Sequence, residues 1–293
     1  MDWMPIARLA IAVAVLIYGS YTDWKTRTAS DTCWIVMGIA GLAFLAVDIL
    51  DRGEDLTYLL MLIPIGWLFF DLLIDRKGLF EPGTNYLPLG LYVVSFAILG
   101  YMVYSFNGEA YLWALISIPI MFLLYYILYI FDIIKGGADA KALIALSLLM
   151  PVYPIIGSLP IIALPSDVAQ YVMPFSLLSL FYGALLTIVV PLYYLVVNTI
   201  RGDRKFPSML FGVRMDMAEA KRKFVWPMEY VDGEEIKISS FPKGPESIEE
   251  HFATLEAKGL TRIWVTPKIP MLIPITAGVI IAATVGNALF LLF

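Results

Sequence analysis

The amino-acid sequence predicts an all-α polytopic membrane protein with about eight transmembrane helices and a small α+β cytoplasmic domain before the last helix. Two observations carry that prediction. The 293 residues are 60% hydrophobic and only 15% charged, with a mean hydropathy of +0.81, whereas soluble domains are nearer half apolar and a quarter charged. The apolar residues are also gathered into repeated runs, and about 20 residues of helix suffice to cross a hydrocarbon core of roughly 30 Å. A polar segment, 201–268, interrupts these runs near the carboxyl end.

In chain order the runs predict spans near 5–22, 32–50, 57–74, 86–106, 111–134, 140–164, 168–200 and 269–293. The first lacks a basic n-region and a small-residue cleavage site, so it reads as a retained span. The third is short, and the seventh is long enough to tilt or to continue past the bilayer. Pro151 and Pro154 interrupt the sixth, which predicts a kink or a non-helical outer end. The organisation is therefore a membrane domain over 1–200, a cytoplasmic domain over 201–268 and a C-terminal transmembrane helix over 269–293.

Basic residues in short links set orientation. Lys25 and Arg27 follow the first span, Arg76 and Lys77 the third, and Lys135 and Lys141 flank the link after the fifth; the segment after the seventh is rich in both types. The alternate links near 51–56, 107–110 and 165–167 are poor in them. This parity places both termini outside and the basic links in the cytoplasm. Trp24, Trp34, Trp67 and Trp113 lie near proposed span ends, where amphipathic aromatics anchor at the interface.

Within the polar segment, Phe224–Tyr230 and Glu235–Ser239 flank an Asp232–Gly233 turn and predict a β-hairpin. Ser247–Lys258 has helical character and Leu260–Val265 the pattern of a further strand. So short a segment has a small core, which predicts that it leans on the membrane domain or the lipid surface.

Composition narrows the chemistry. A net charge of −5 without a block of like charge gives no nucleic-acid signature. The single Cys33 rules out an internal disulfide, and there is no CxxC or Cys/His cluster for zinc. One histidine, His251, speaks against a His-based metal site or a Ser-His-Asp triad and reads as part of a solvated helix face. The KRK run at 221–223 and Arg214 read as lipid-headgroup or water contacts. No phosphate loop or dinucleotide fingerprint is present, so no cofactor is expected.

Two stretches do carry chemistry. Gly136-Gly137-Ala138-Asp139-Ala140-Lys141 is a glycine-opened, ionisable break between apolar runs, and Tyr21-Thr22-Asp23-Trp24-Lys25-Thr26-Arg27 ends the first run. Four predicted crossings separate Asp23 from Asp139, an even number that returns the chain to the same face. Two carboxylates held together cannot both ionise cheaply, so one keeps a proton. The ionised member can then take a proton from water as it attacks a carbonyl, and the protonated member can hydrogen-bond the carbonyl oxygen. Gly136 and Gly137 permit positive φ and close approach, and a helix opening there places Asp139 near a positive N-terminus, with Lys141 and Lys25 adding to the field. A structural reading stands beside this one: Gly-Gly serves as a helix C-cap, Asp139 as an N-cap, and Asp23-Trp24-Lys25 as an interfacial anchor. Asp71 and Asp132 near cytoplasmic ends and Asp48 near an outer end read as span-end residues that snorkel to water.

With these residues together, the chain resembles the archaeal preflagellin and prepilin peptidases, the type IV prepilin peptidase-like branch of the GxGD membrane aspartyl proteases. The resemblance implies that Asp23 in YTDWKTRTASD and Asp139 in GGADAK are the catalytic pair, with Lys25, Gly136, Gly137 and Lys141 as supporting motif residues. It also matches the cytoplasmic domain before a last apolar helix, here 201–268 followed by WVTPKIPMLIPI. Ala138 stands where the family motif has glycine, and the interval from Asp23 to Asp139 leaves room for a hairpin beyond a minimal six-helix member. Bacterial relatives often add a cysteine-bearing domain and N-methylation; with only Cys33, no methylation is expected. The implied partners are leader-bearing pilin or archaellin preproteins and membrane lipid, with cleavage at the cytoplasmic boundary of the substrate helix. Oligomeric state is not legible. Two rival readings are a proton- or cation-coupled transporter using Asp71, Asp132 and Asp139 across a broken helix, and an inactive assembly scaffold.

Overall fold

The computed structural model describes residues 3–74, 86–163, 173–240 and 247–292. Arg76 and Lys77, and the outer link near 165–167, lie outside the described residues. The chain forms two compact units, 1–184 together with 270–293, and 185–269.

The helices in order begin with α1 (Trp3–Thr26), α2 (Asp31–Arg52), α3 (Leu62–Asp71), α4 (Leu87–Phe106), α5 (Ala110–Ile130) and α6 (Gly137–Leu149). Then come α7 (Phe175–Thr187), α8 (Val189–Arg201), two one-turn helices α9 (Ser208–Phe211) and α10 (Met217–Ala220), α11 (Ile248–Ala257) and α12 (Leu272–Thr284). Five helical stretches are long and apolar enough to cross a bilayer: α1, α2, α4, α5 and Phe175–Arg201, which joins α7 to α8. Leu56–Asp71 and Leu272–Thr284 are shorter apolar helices. The protein is a multi-pass membrane protein, but among the described residues only five of the eight expected spans reach full crossing length.

The sixth expected span is the clearest departure. Helix α6 has 13 residues, about 20 Å at a rise of 1.5 Å per residue. It ends because Met150 precedes Pro151, whose ring excludes the helical conformation from its predecessor; Met150 sits at φ −125°, ψ 66°. The chain beyond it is non-helical, and its backbone groups find partners in the protein. The Ile161 and Ile162 N–H groups donate to the Thr284 and Val285 carbonyls at 2.9 Å each, closing the C-terminal end of α12. Irregular backbone at membrane depth requires such internal partners.

Helix α6 is nevertheless the centre of its unit, with an unbroken run from Asp139 to Leu149 buried except at Lys141. It packs most extensively against α2 and next against α5. Close approach to α2 depends on Gly41, where an added Cβ would lie 3.0 Å from the Leu148 carbonyl carbon and 3.0 Å from the Leu149 nitrogen. Small residues serve this purpose in membranes, where backbones must approach without a hydrophobic driving force. On the opposite side, α1 packs along α12. Trp34 does not anchor at an interface as expected but is fully buried in the helical core, whereas Trp24 is exposed. Its position one turn into α2 puts it on the stripe with Met37, Gly38, Gly41 and Leu45 that faces the core, and burial of a large ring outweighs the interfacial preference.

The second unit carries the strands. β1 (Val213–Asp216), β2 (Val225–Pro227) and β5 (Arg262–Pro267) form an antiparallel sheet in the order β1-β5-β2; β3 (Glu229–Asp232) and β4 (Glu235–Ile238) form a hairpin. The hairpin turns at Asp232–Gly233 as expected, with Gly233 at φ +63°. The expected strand 224–230 is split, however. Met228 is the hinge, fully buried, with β2 pairing to β5 on one side and β3 to β4 on the other. His251 is not on a solvated face: its Nε2–H donates to the Glu229 carbonyl at 2.7 Å and ties α11 to β3. The basic run is neutralised locally, Lys221 by Glu256 at 2.6 Å and Lys223 by Glu219 at 2.5 Å.

Two expectations follow. Valine at Gly41 forces α2 and α6 apart, so Gly41→Val is expected to lower stability by about 1–3 kcal/mol, the usual cost of overpacking, read as a lower melting temperature in detergent. The second concerns Glu229, which burial pushes above its usual range despite a Trp264 N–H bond and the charges of Arg214 and Lys205. The folded unit holds this proton to higher pH than the unfolded chain, so the stability it adds is full below pH 4.5 and is lost as pH rises through the folded value. Glu229→Gln keeps an acceptor and removes the charge, and is expected to raise protection from hydrogen exchange in 185–269 at neutral pH. Lower protection would contradict it.

Candidate active site

Asp23 lies one turn before the end of α1, where the backbone stops being helical. Arg27 takes φ 59° and its N–H returns to the Asp23 carbonyl at 3.0 Å. Thr22 and Thr26 bond their hydroxyls back to the Gly19 and Thr22 carbonyls, both at 2.9 Å. Asp23 is thus half-buried, on the side of α1 that carries Leu16, Gly19 and Ser20. A backbone group from the far end of the sequence acts on it. Helix α12 begins at Leu272 after Met271, which has no capping side chain, and the Leu272 N–H acts on the Asp23 carboxylate from that open end. A carboxylate at a helix N-terminus meets both an unsatisfied donor and the positive end of the helix dipole. The Arg27 guanidinium is a further charge acting on Asp23.

Asp139 is the third residue of α6 and is buried, 9% exposed. The glycines before it do not act through positive φ. Gly136 is extended, at φ −97° and ψ 121°. What it supplies is room, because a Cβ at Gly136 would overlap the Asp139 carboxylate. A Cβ at Gly137 would meet only the Tyr129 hydroxyl, at an ordinary 3.5 Å. Nor does Gly-Gly cap α5. That helix is closed by Asp132 in the left-handed region at φ 56°, with the Ile133 and Ile134 N–H groups returning to the Leu128 carbonyl at 2.9 and 3.0 Å. Ala138 packs against the apolar core.

Helices α1 and α6 pack against each other, and the Asp23 charge acts on Asp139. The expected lysines are not at their side. Lys25 is exposed and stacks over the Tyr21 ring at 5.8 Å. Lys141 turns to α2, where its Nζ donates to both oxygens of Asp31 at 2.8 and 2.9 Å. Instead of adding to the field at Asp139, Lys141 ties the first turn of α6 to the start of α2. The other acidic residues have separate structural partners. Tyr92 donates to Asp71, Arg52 pairs with Asp48 at 3.0 Å, and Asp132 is exposed. Among the described residues no group of three or more His, Cys, Asp or Glu side chains is placed to hold a metal ion.

Three participants escaped sequence reasoning. Arg27 counted only as a topology signal. Asp31 stood in the quoted run YTDWKTRTASD without a role, although an acid there matches a lysine at the opening of a later helix. The Leu272 N–H is a backbone group and leaves no side-chain signal. Chemically, two carboxylates close enough to interact can share a proton and activate a water.

Residues 204–288 match the family described as Archaeal Peptidase A24 C-terminus Type II. A preflagellin peptidase of Methanococcus voltae is 28% identical over 213 residues, 69% of this chain and 85% of the relative. One from Methanococcus maripaludis (strain C6) is 29% identical over 178 residues, covering 57% and 70%. An uncharacterized protein of Methanocaldococcus jannaschii is 25% identical over 264 residues, covering 88% of this chain and 84% of its own length.

The geometry separates the two glycines. Gly136→Ala is expected to displace the Asp139 carboxylate and to cut activity by about 100-fold, the scale of an ångström-sized misplacement. Gly137→Ala is expected to change it by less than about threefold, since a methyl there meets only ordinary contact. Equal losses in the two variants, assayed at matched amounts of folded protein, would contradict the assignment.

Proposed function

We propose that this chain, a relative of the archaeal preflagellin peptidases, is a membrane aspartyl endopeptidase that removes the basic leader from preflagellin or a similar pilin precursor. The observation that carries the reading is the packing of α1 against α6, which sets Asp23 and Asp139, far apart in sequence, near enough for their charges to interact. The relatives' names supply the substrate class. The aspartyl mechanism rests on the pair and its surroundings.

In the reaction the ionised carboxylate takes a proton from water while the water oxygen bonds to the scissile carbonyl carbon. The carboxyl that holds the proton hydrogen-bonds the carbonyl oxygen as charge builds there. Collapse of the tetrahedral species breaks the C–N bond, and a carboxyl proton goes to the leaving amine. The two groups titrate as a pair, so neither step is assigned to one residue alone. The glycine at 136 leaves the space that the Asp139 carboxyl occupies. On the basic-link parity this site lies at the cytoplasmic boundary of the membrane. There a substrate's hydrophobic helix stays in lipid while its leader reaches water.

Asp23→Asn and Asp139→Asn each keep shape and remove the ionisable group. Each is expected to reduce leader cleavage by at least about 1000-fold, with the double variant no worse than either single, as for residues that act as a unit. The assay is cleavage of preflagellin and pilin precursors by purified, folded protein, with the product mapped to the leader–helix boundary. Wild-type turnover in either variant rejects the pair. Failure of folded wild type to cleave any precursor rejects the activity.

A further inference from the structure

We propose that Ser20 and Thr276 are positioning residues for the reaction, holding the start of the last helix against the turn of α1 that carries Asp23. The inference rests on the proposed peptidase activity and deepens it. The residues concerned line the crossing of α1 and α12. Ser20 is one turn before Asp23 on the same face of α1, and is 9% exposed. Thr276 is one turn after Leu272 in α12, and is 7% exposed.

The Ser20 and Thr276 hydroxyl oxygens are 2.8 Å apart. Thr276 Oγ1 is also 2.7 Å from the Leu272 carbonyl and 3.3 Å from the Leu16 carbonyl. Carbonyls only accept, so the single Thr276 proton goes to one of them, and the Ser20 hydroxyl donates to Thr276. The result is one chain of polar groups. Ser20 O–H donates to Thr276, and Thr276 O–H donates to the Leu272 carbonyl, so the hydroxyl pair joins α1 to the first turn of α12, whose backbone acts on the Asp23 carboxylate. Gly19 lies at the same crossing, where a Cβ would be 3.4 Å from Trp34 and 3.5 Å from Leu272 Cδ1, an ordinary contact.

A threonine bonded only to its own helix needs no partner on another helix. The hydroxyl of Thr276 is doubly engaged, and the second engagement fixes the register of α12 against α1 one turn from the catalytic carboxylate. The field of a helix N-terminus falls off within its first turn, so a small slide of α12 weakens it at Asp23 without unpacking the apolar contacts around it. The substrate would still bind, and the water would meet a misdirected carboxylate.

The test uses the full chain in lipid nanodiscs, with a preflagellin bearing its basic leader as the probe. Thr276→Val keeps the side-chain shape and deletes the hydroxyl; Thr276→Ser keeps the hydroxyl and deletes the methyl; Ser20→Ala removes the partner from the other side. Thr276→Val and Ser20→Ala are each expected to lower kcat about tenfold with KM within about twofold, the signature of an interaction that serves the transition state. Thr276→Ser is expected to stay within about twofold of wild-type kcat, because the hydrogen bond survives. Wild-type kcat in Thr276→Val overturns the proposal, as does a loss in Thr276→Ser equal to that in Thr276→Val, which would assign the effect to methyl packing. If Thr276→Val does not fold, Ser20→Ala decides alone by the same kcat criterion. A wild type that cleaves while the variants match it overturns only this inference. A folded wild type that cleaves nothing overturns the peptidase reading first.

Discussion

The site depends on a short helix with almost no exposed surface. Helix α6 can sit in the middle of its unit only because α2 presents Gly41 to its C-terminal turn, so that backbone meets backbone. That contact fixes the far end of α6, and the Lys141–Asp31 pair fixes the near end. A carboxylate on the first turn of such a helix has little freedom beyond its own rotamer. Burial, close packing and the ion pair therefore convert one residue's identity into a position.

Both carboxylates sit at helix N-termini, by different routes. Asp139 belongs to the helix whose first turn it occupies, and Gly136 clears the space its carboxyl needs. Asp23 ends one helix and meets the start of another, where Leu272 offers a donor that no capping side chain has taken. The field of a helix end falls off within about a turn, so both arrangements need their helices in register. In a bilayer each unsatisfied backbone group is costly, and Asp23 lies where the open end of α12 acts on it.

The second unit follows soluble rules within the same chain. Its three-stranded sheet places β5 between β1 and β2, so the buried Ile263, Trp264 and Val265 line its core. Asn198 on α8 donates to the Met209 and Gly212 carbonyls at 2.9 and 2.7 Å and fixes the one-turn helix α9 against its own. His251 ties α11 to β3 through the Glu229 carbonyl.

By itself the sequence determined what composition, periodicity and motif spacing can carry. These were the membrane character, the run of apolar segments, the proline-broken sixth segment, the Asp232–Gly233 hairpin and the two aspartate-bearing stretches at span ends. It could not determine which segments reach full crossing length, because Met150 and Pro151 end α6 through local backbone conformation that hydropathy does not register. It placed Trp34 at the interface, since the preference of a tryptophan for that layer is statistical and yields to a core position. It read Lys141 as a neighbour of Asp139 because the two are close in sequence, while the lysine's length lets it reach Asp31 on another helix. Only the tertiary structure could decide that Gly136 serves space rather than φ, and that Asp23 finds its donor in the backbone of the last helix. A backbone N–H is present at nearly every residue, so its role is written in the crossing of two helices and not in any letter of the sequence.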